Sequence, residues 1–376
     1  MGVLVPNKPH LLPLEPMDET TANSTNPTPQ HTPRSRTDWQ EVGHRIDQLV
    51  DMVAADNTEP FDRKLVADLL ASGLKLLPDG RDRGELKLMT AAFKELRYAY
   101  RIFGRYAHAH KVTIFGSART PEDHPDYVSC VDFSKRMAEA GWMVITGAGD
   151  GIMKAGHVGP GKSASFGVAI RLPFETTANT IIHGDEKLIH FRYFFTRKLM
   201  FLSQAEAVAL FPGGFGTMDE AYETLTLVQT GKSGMIPIVM LEGEGGDYWD
   251  EFHAFARNAL LSRQMISEED TALYYHAKNP HDAVRHVLDF YRNYHSSRYV
   301  GDDLVIRVRR RLEAGNLEIL NQEFARLVKS GQIRQDGPLE QEDDHLDLPR
   351  IIFTHTRRDF GMVRTLIDRI NELDAS

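Results

Sequence analysis

Two periodicities of apolar positions divide this chain. Trp39, Val42, Ile46, Leu49 and Val53 recur at helical spacing, with Asp38 placed to cap the segment. Helical spacing continues from Pro60 to Leu77 and from Glu85 to Tyr106, so residues 37–108 predict an N-terminal helical region. At Lys111 the pattern changes to short, continuous apolar runs. VTIFGS, WMVIT, SFGVAI, AVALFP and IPIVML read as buried strands, most of them ending in glycine or proline. Helical segments fall between them: 127–140, 151–156, 194–204 and 218–229. This alternation predicts an α/β fold over residues 109–297, a doubly wound, Rossmann-like parallel sheet that binds ligands at the carboxyl ends of its strands. Residues 298–376 change register again. LVIRV, a helix over 317–328, IIFTH and a helix over 362–373 predict a small C-terminal β-α-β-α lobe, interrupted by an acidic loop from Glu340 to Asp347. The first 36 residues are rich in Pro, Thr, Asn and Ser and predict a disordered tail.

Composition narrows the function classes. The 376 residues carry a net charge of −9, without the basic footprint of a nucleic-acid-binding protein. The run Arg307, Arg309, Arg310, Arg311 alternates around Val308 and reads as a solvated strand face. With Cys130 the only cysteine, no disulfide can close within the chain and no cysteine-based zinc site is possible. No stretch approaches the roughly 18 apolar residues of a membrane span. The default expectation is a cytoplasmic protein without membrane or nucleic-acid partners. The 16 histidines show no metal-ligand spacing, so no metal is expected.

Candidate chemistry concentrates in Ala207 to Gly231. A buried strand runs into Pro212, Gly213, Gly214, Phe215, Gly216 and Thr217, and then into a helix. Glycines admit a ligand close to the backbone, and a helix N-terminus offers unpaired N–H groups and a positive dipole end, so this turn predicts a phosphate site. Glu220 stands in the first helical turn. Thr217 and Glu220 also spell a T-x-x-E capping box, which by itself accounts for both residues. Upstream, Arg197 offers a rigid fork for phosphate and Lys198 a second cation, with a solvated helix face as the alternative. The turns at Gly116 and Ser117, and at Gly147, Gly149 and Asp150, lie at the ends of the first two strands and are candidates for substrate contact. Gly156 to Ser163 matches the P-loop pattern in letters, but a helix precedes it and a strand follows, so it predicts no nucleotide triphosphate site.

GSA near Ser117, TGAGDGIMKAG from Thr146, LPFETTAN from Leu172, YFFTRKLMF from Tyr193 and PGGFGTMDE from Pro212 together resemble the LOG family, the cytokinin riboside 5′-monophosphate phosphoribohydrolases often labelled lysine decarboxylases. The resemblance spans about Lys111 to Tyr294. The flanking regions look like the longer bacterial members, which resemble nucleotide 5′-monophosphate nucleosidases. It implies a small-molecule nucleotide substrate, no cofactor and a homo-oligomer. Arg197 and Glu220 match the family's catalytic pair, and Gly213, Gly214, Gly216 and Thr217 its phosphate-binding stretch. This chain has Asp219-Glu220 where many members have two glutamates, and Ala148 within a turn that is often all glycine. Asp150 and Glu175 are further carboxylates near the substrate turns, with a turn cap and a loop charge as their alternatives. Two rival readings belong to other classes: a non-catalytic nucleotide sensor, and a pyridoxal phosphate enzyme that would need a Schiff-base lysine, for which Lys198 is the nearby candidate.

Overall fold

The structure is a computed structural model that describes residues 37–171 and 178–374. The expected tail over 1–36 and Glu175 lie outside the described residues. The chain divides into two compact units, the second starting at Arg83.

The first unit contains α1 (Trp39–Val53) and α2 (Pro60–Lys75). Asp38 caps α1 as its position predicts, accepting from the backbone N–H of Gln40 at 2.9 Å and of Glu41 at 3.3 Å. Pro60 opens α2, where its missing N–H costs nothing. Arg63 ties the two helices through Asp51 at 3.0 Å.

The second unit opens with α3 (Arg83–Gly104), which buries Ala99, Ile102 and Phe103 in the main apolar core. There follow β1 (Lys111–Phe115), α4 (Pro125–Glu139), β2 (Met143–Thr146), α5 (Ile152–Val158), β3 (Ser165–Ile170), β4 (Leu188–Phe191), α6 (Phe194–Ser203), β5 (Ala207–Leu210), α7 (Phe215–Gln229), β6 (Ile238–Met240), α8 (Tyr248–Phe255), β7 (Tyr275–His276) and α9 (Pro280–Phe290). The seven strands form one parallel sheet in the order β4-β3-β2-β1-β5-β6-β7. Strands β1, β2 and β5 are buried throughout, as continuous apolar runs require when helices cover both faces. The winding reverses between β1 and β5, where Phe115 pairs with Leu210. Connections leave the ends of these two neighbours in opposite directions, which opens a crevice there.

The last segment differs from the expected β-α-β-α lobe. It contains β8 (Tyr294–Val300), β9 (Asp303–Val308), α10 (Ala314–Glu323), β10 (Val328–Asp336), β11 (Arg350–His355) and α11 (Phe360–Leu373). Its sheet is antiparallel, in the order β10-β11-β9-β8. The apolar runs LVIRV and IIFTH are the inner pair, and the unexpected strands are the polar edges. Arg307 also departs from expectation. It is 4% exposed rather than solvated, and its guanidinium meets Glu342 at 2.8 Å and also pairs with Asp344. Arg350, paired with Arg307 across β9 and β11, is fully buried and bonds Glu342 at 3.1 Å. These ion pairs pin the acidic loop onto the sheet. Burial opposes the charge of Glu342, but hydrogen bonds from Arg350, the Leu339 N–H and Arg307 hold its carboxyl down at about 2.

Candidate functional site

Three strand ends meet at the crevice. The Ser117 N–H donates to the Pro212 carbonyl at 3.0 Å, which ties the turn after β1 to the turn after β5. The Ile152 N–H donates to the Ser117 carbonyl at 3.0 Å and adds the turn after β2. The fit is tight enough to demand glycine at two positions. A Cβ on Gly151, whose φ is +59°, would lie 2.3 Å from the Ser117 carbonyl oxygen. A Cβ on Gly213 would lie 2.1 Å from the Thr217 hydroxyl. Tyr248 donates to the Gly213 carbonyl at 2.6 Å and braces the same turn from α8.

A cleft of about 860 Å³ opens over these turns. Gly213, Gly214, Gly216, Thr217, Arg197 and Glu220 all line it, together with Gly116, Ser117 and Gly147. Helix α7 begins at Phe215, three residues ahead of the expected start, with Gly214 as its N-cap. The first-turn N–H groups of a helix have no partner four residues back, so those of Phe215, Gly216 and Thr217 stand available at the cleft wall. This start also removes the capping box: Thr217 is the third helical residue rather than the cap, and among the described residues no side chain caps α7.

Glu220 is 6% exposed, and its Oε2 has no hydrogen-bond partner among the described residues. Burial pushes its carboxyl up to about 7; Lys198 and Arg197 pull it down, while Glu223 and Asp219 push it further up. Arg197 projects from α6. Its Nε donates to the Val168 carbonyl at 2.8 Å, and its guanidinium lies 5.0 Å from the centre of the Phe201 ring. Gly147 permits this placement, because a Cβ there would come within 2.5 Å of Arg197 Nη2.

Other expected residues stand apart. Lys198 does not line the cleft. Its ammonium pairs with Asp219 at 2.9 Å and Glu223 at 2.7 Å, and stands 4.0 Å from Glu220 Oε2. Although burial works against its charge, these carboxylates hold Lys198 above the ordinary lysine range. Gly149 and Asp150 do not line the cleft either, and Asp150 is exposed. The P-loop look-alike has the context expected of it, with α5 before it and β3 after it, and Lys162 donates to the His183 carbonyl at 3.0 Å.

The sequence reading passed over the support beneath the second turn. Asn179 donates from its side chain to the Gly149 carbonyl at 3.0 Å and from its backbone to the Ala148 carbonyl at 2.8 Å. Ala148 takes a positive φ of 64° there, and its N–H donates to the Thr146 hydroxyl at 3.1 Å. Fully buried His157 lies 3.0 Å from that hydroxyl and 3.2 Å from the Asn179 amide nitrogen. Burial lowers its pKa, which favours the neutral ring that such a network needs. The cue was present, since both residues sit inside quoted segments, but nothing in their spacing links them. Phe194, Phe215 and Met153, within the quoted segments but given no role there, and Arg119 also line the cleft.

Residues 148–287 match the family described as possible lysine decarboxylase. Among solved structures, the structural-genomics target TM1055 is similar at 20% identity, over 47% of this chain and 96% of that one, with a TM-score of 0.34. The Moco carrier protein from Chlamydomonas reinhardtii is similar at 18% identity, over 48% and 96% of the two chains, with a TM-score of 0.31. The molybdenum cofactor binding protein from Rippkaea orientalis is similar at 17% identity, over 47% and 93%, with a TM-score of 0.32. No curated protein matches the sequence.

Proposed function

We propose, from the LOG-family domain that residues 148–287 carry, that this protein hydrolyses the N-glycosidic bond of nucleoside 5′-monophosphates to free base and ribose 5-phosphate. The observation that carries the reading is the meeting of three things in one cleft: an uncapped helix N-terminus, the Arg197 guanidinium and a buried carboxylate, Glu220. The first two are an anion site. The third faces the same space, buried where its charge is costly, as suits a group that meets positive charge developing in the reaction.

Water adds to C1′ while the C1′–N bond breaks and its electron pair leaves with the base, which takes up a proton. The water gives up a proton in turn. The transition state carries oxocarbenium character at the ribose, as in other glycoside cleavage. Glu220, as a carboxylate, stabilises that charge and accepts the proton from water. The α7 N-terminus, with Gly213, Gly214, Gly216 and Thr217, holds the phosphate, and Arg197 completes its clamp. Binding energy from the phosphate thereby fixes C1′ against Glu220. Gly116, Ser117 and Gly147 form the floor under the ribose. Lys198 acts through Glu220 rather than on the phosphate, because three carboxylates surround its ammonium.

A pyridoxal phosphate chemistry does not fit this cleft. It needs a lysine amine aimed at the cofactor, and no lysine is among the described lining residues. A pure nucleotide sensor has no use for a buried carboxylate facing its anion site. The phosphate anchor is tested by comparing AMP with adenosine as substrates. AMP should be turned over and adenosine barely touched, whereas equal rates would remove the anchor from the account.

A further inference from the structure

Helix α6 delivers Arg197, yet its N-cap, Tyr193, makes no side-chain cap. A distant helix ties this end down instead. Glu95 on α3 accepts the Arg192 N–H through Oε1 at 2.8 Å, just ahead of that cap. Its Oε2 lies 2.8 Å from the Thr196 hydroxyl, one residue before Arg197. That hydroxyl also lies 3.0 Å from the Tyr193 carbonyl, but it has a single proton, and the carboxylate is the stronger acceptor. A negative group at this end also complements the helix dipole. Helix α3 itself is fixed to the sheet, with Phe103 stacked on Phe166 of β3 at 4.4 Å. Arg197 in turn bonds Val168 on that same strand at 2.8 Å.

We propose that Glu95 is a positioning residue: it tethers the start of α6 to α3, and so sets the aim of the Arg197 guanidinium into the cleft. The helix ahead of the sheet thereby becomes part of the site's machinery without supplying a group that touches substrate. The inference rests on the proposed role of Arg197 at the phosphate.

The test uses the full chain with Glu95→Ala and Glu95→Gln. Glutamine keeps both contacts, since its carbonyl accepts from the Arg192 N–H and its amide donates to the Thr196 hydroxyl. Loss of the tether should raise KM for AMP about 10-fold in Glu95→Ala, with kcat much less affected, because misaiming a clamp weakens binding first. Glu95→Gln should stay within about 3-fold of the parent. Parent-like KM in Glu95→Ala, or an equal loss in both variants, would overturn the proposal. If Glu95→Ala does not fold, Thr196→Val removes one of the two contacts isosterically and should raise KM about 3-fold; no change there would also count against it. Should the parent neither bind nor cleave AMP, the functional reading fails, and amide exchange over residues 192–199 still judges the tether. Faster exchange in Glu95→Ala and parental exchange in Glu95→Gln supports it, and unchanged exchange in both overturns it.

Discussion

Glu220 and Lys198 show how far single residues could be read. The glycines, Thr217 and Glu220 form a contiguous segment after a buried strand, so their convergence was legible as soon as the strand was. Arg197 and Lys198 are adjacent in sequence, but successive residues on a helix point about 100° apart. One therefore faces the cleft while the other faces the acidic side of α7, where Asp219 and Glu223 hold it. Sequence alone could not tell which did which. The consequence is testable through pH. Burial raises Glu220 to about 7, and the mechanism uses its ionised form. kcat/KM for AMP should therefore rise with pH through an apparent pKa near 7. Lys198→Met removes the nearest opposing charge and should move this midpoint to higher pH, while Lys198→Arg should leave it near the parent's. A rate already flat from about pH 5 upward would separate Glu220 ionisation from the chemistry.

At the scale of elements, the strands that escaped sequence reading are all edges: β4 and β7 of the parallel sheet, β8 and β10 of the antiparallel one. An edge strand is only half covered, so its apolar signal is diluted by polar residues, as in YHSSRYV and VKSGQIRQD. The central strands, buried on both faces, were visible as unbroken apolar runs. The start of α7 was placed late because glycines disfavour helix in isolation, yet here the helix runs through Gly216. Gly213 and Gly216 then predict different outcomes. Gly213→Ala drives a methyl to within 2.1 Å of the Thr217 hydroxyl and 3.0 Å of the Ser117 nitrogen. It should cost about 1–3 kcal/mol of stability and distort the anion site. Gly216→Ala meets nothing within 4 Å and should melt like the parent or slightly above it. Equal melting losses in the two variants would show the turn to be looser than described. Lys162→Ala, outside the site, should change stability by no more than about 0.5 kcal/mol and leave AMP turnover near parental.

For the molecule as a whole, the C-terminal lobe depends on charge in a way that its sequence concealed. Arg307 read as part of a solvated strand face and Glu342 as part of an acidic loop, because their pairing with each other and with Arg350 spans a loop that no periodicity describes. With Glu342 held at about 2 in the folded state, below its ordinary value, its contribution to stability is present at neutral pH. It fades as pH falls below the unfolded value and is gone below about 2. Acid unfolding should therefore begin in this lobe. Glu342→Gln should melt lower at pH 7, with the gap to the parent closing as acid is added; a constant gap would contradict the assignment. The central claim concerns the cleft itself, and one comparison bears on it most directly. Purified parent and Glu220→Gln are incubated with AMP at about pH 8, and free adenine and ribose 5-phosphate are quantified. Among the described residues no side chain caps α7 and Glu220 Oε2 has no hydrogen-bond partner, so the variant should fold and still bind AMP. The parent should release both products in equal amounts, and Glu220→Gln should be slower by at least about 100-fold. Release of adenine at parental rates by Glu220→Gln, or no glycosidic cleavage by the parent, would contradict the account.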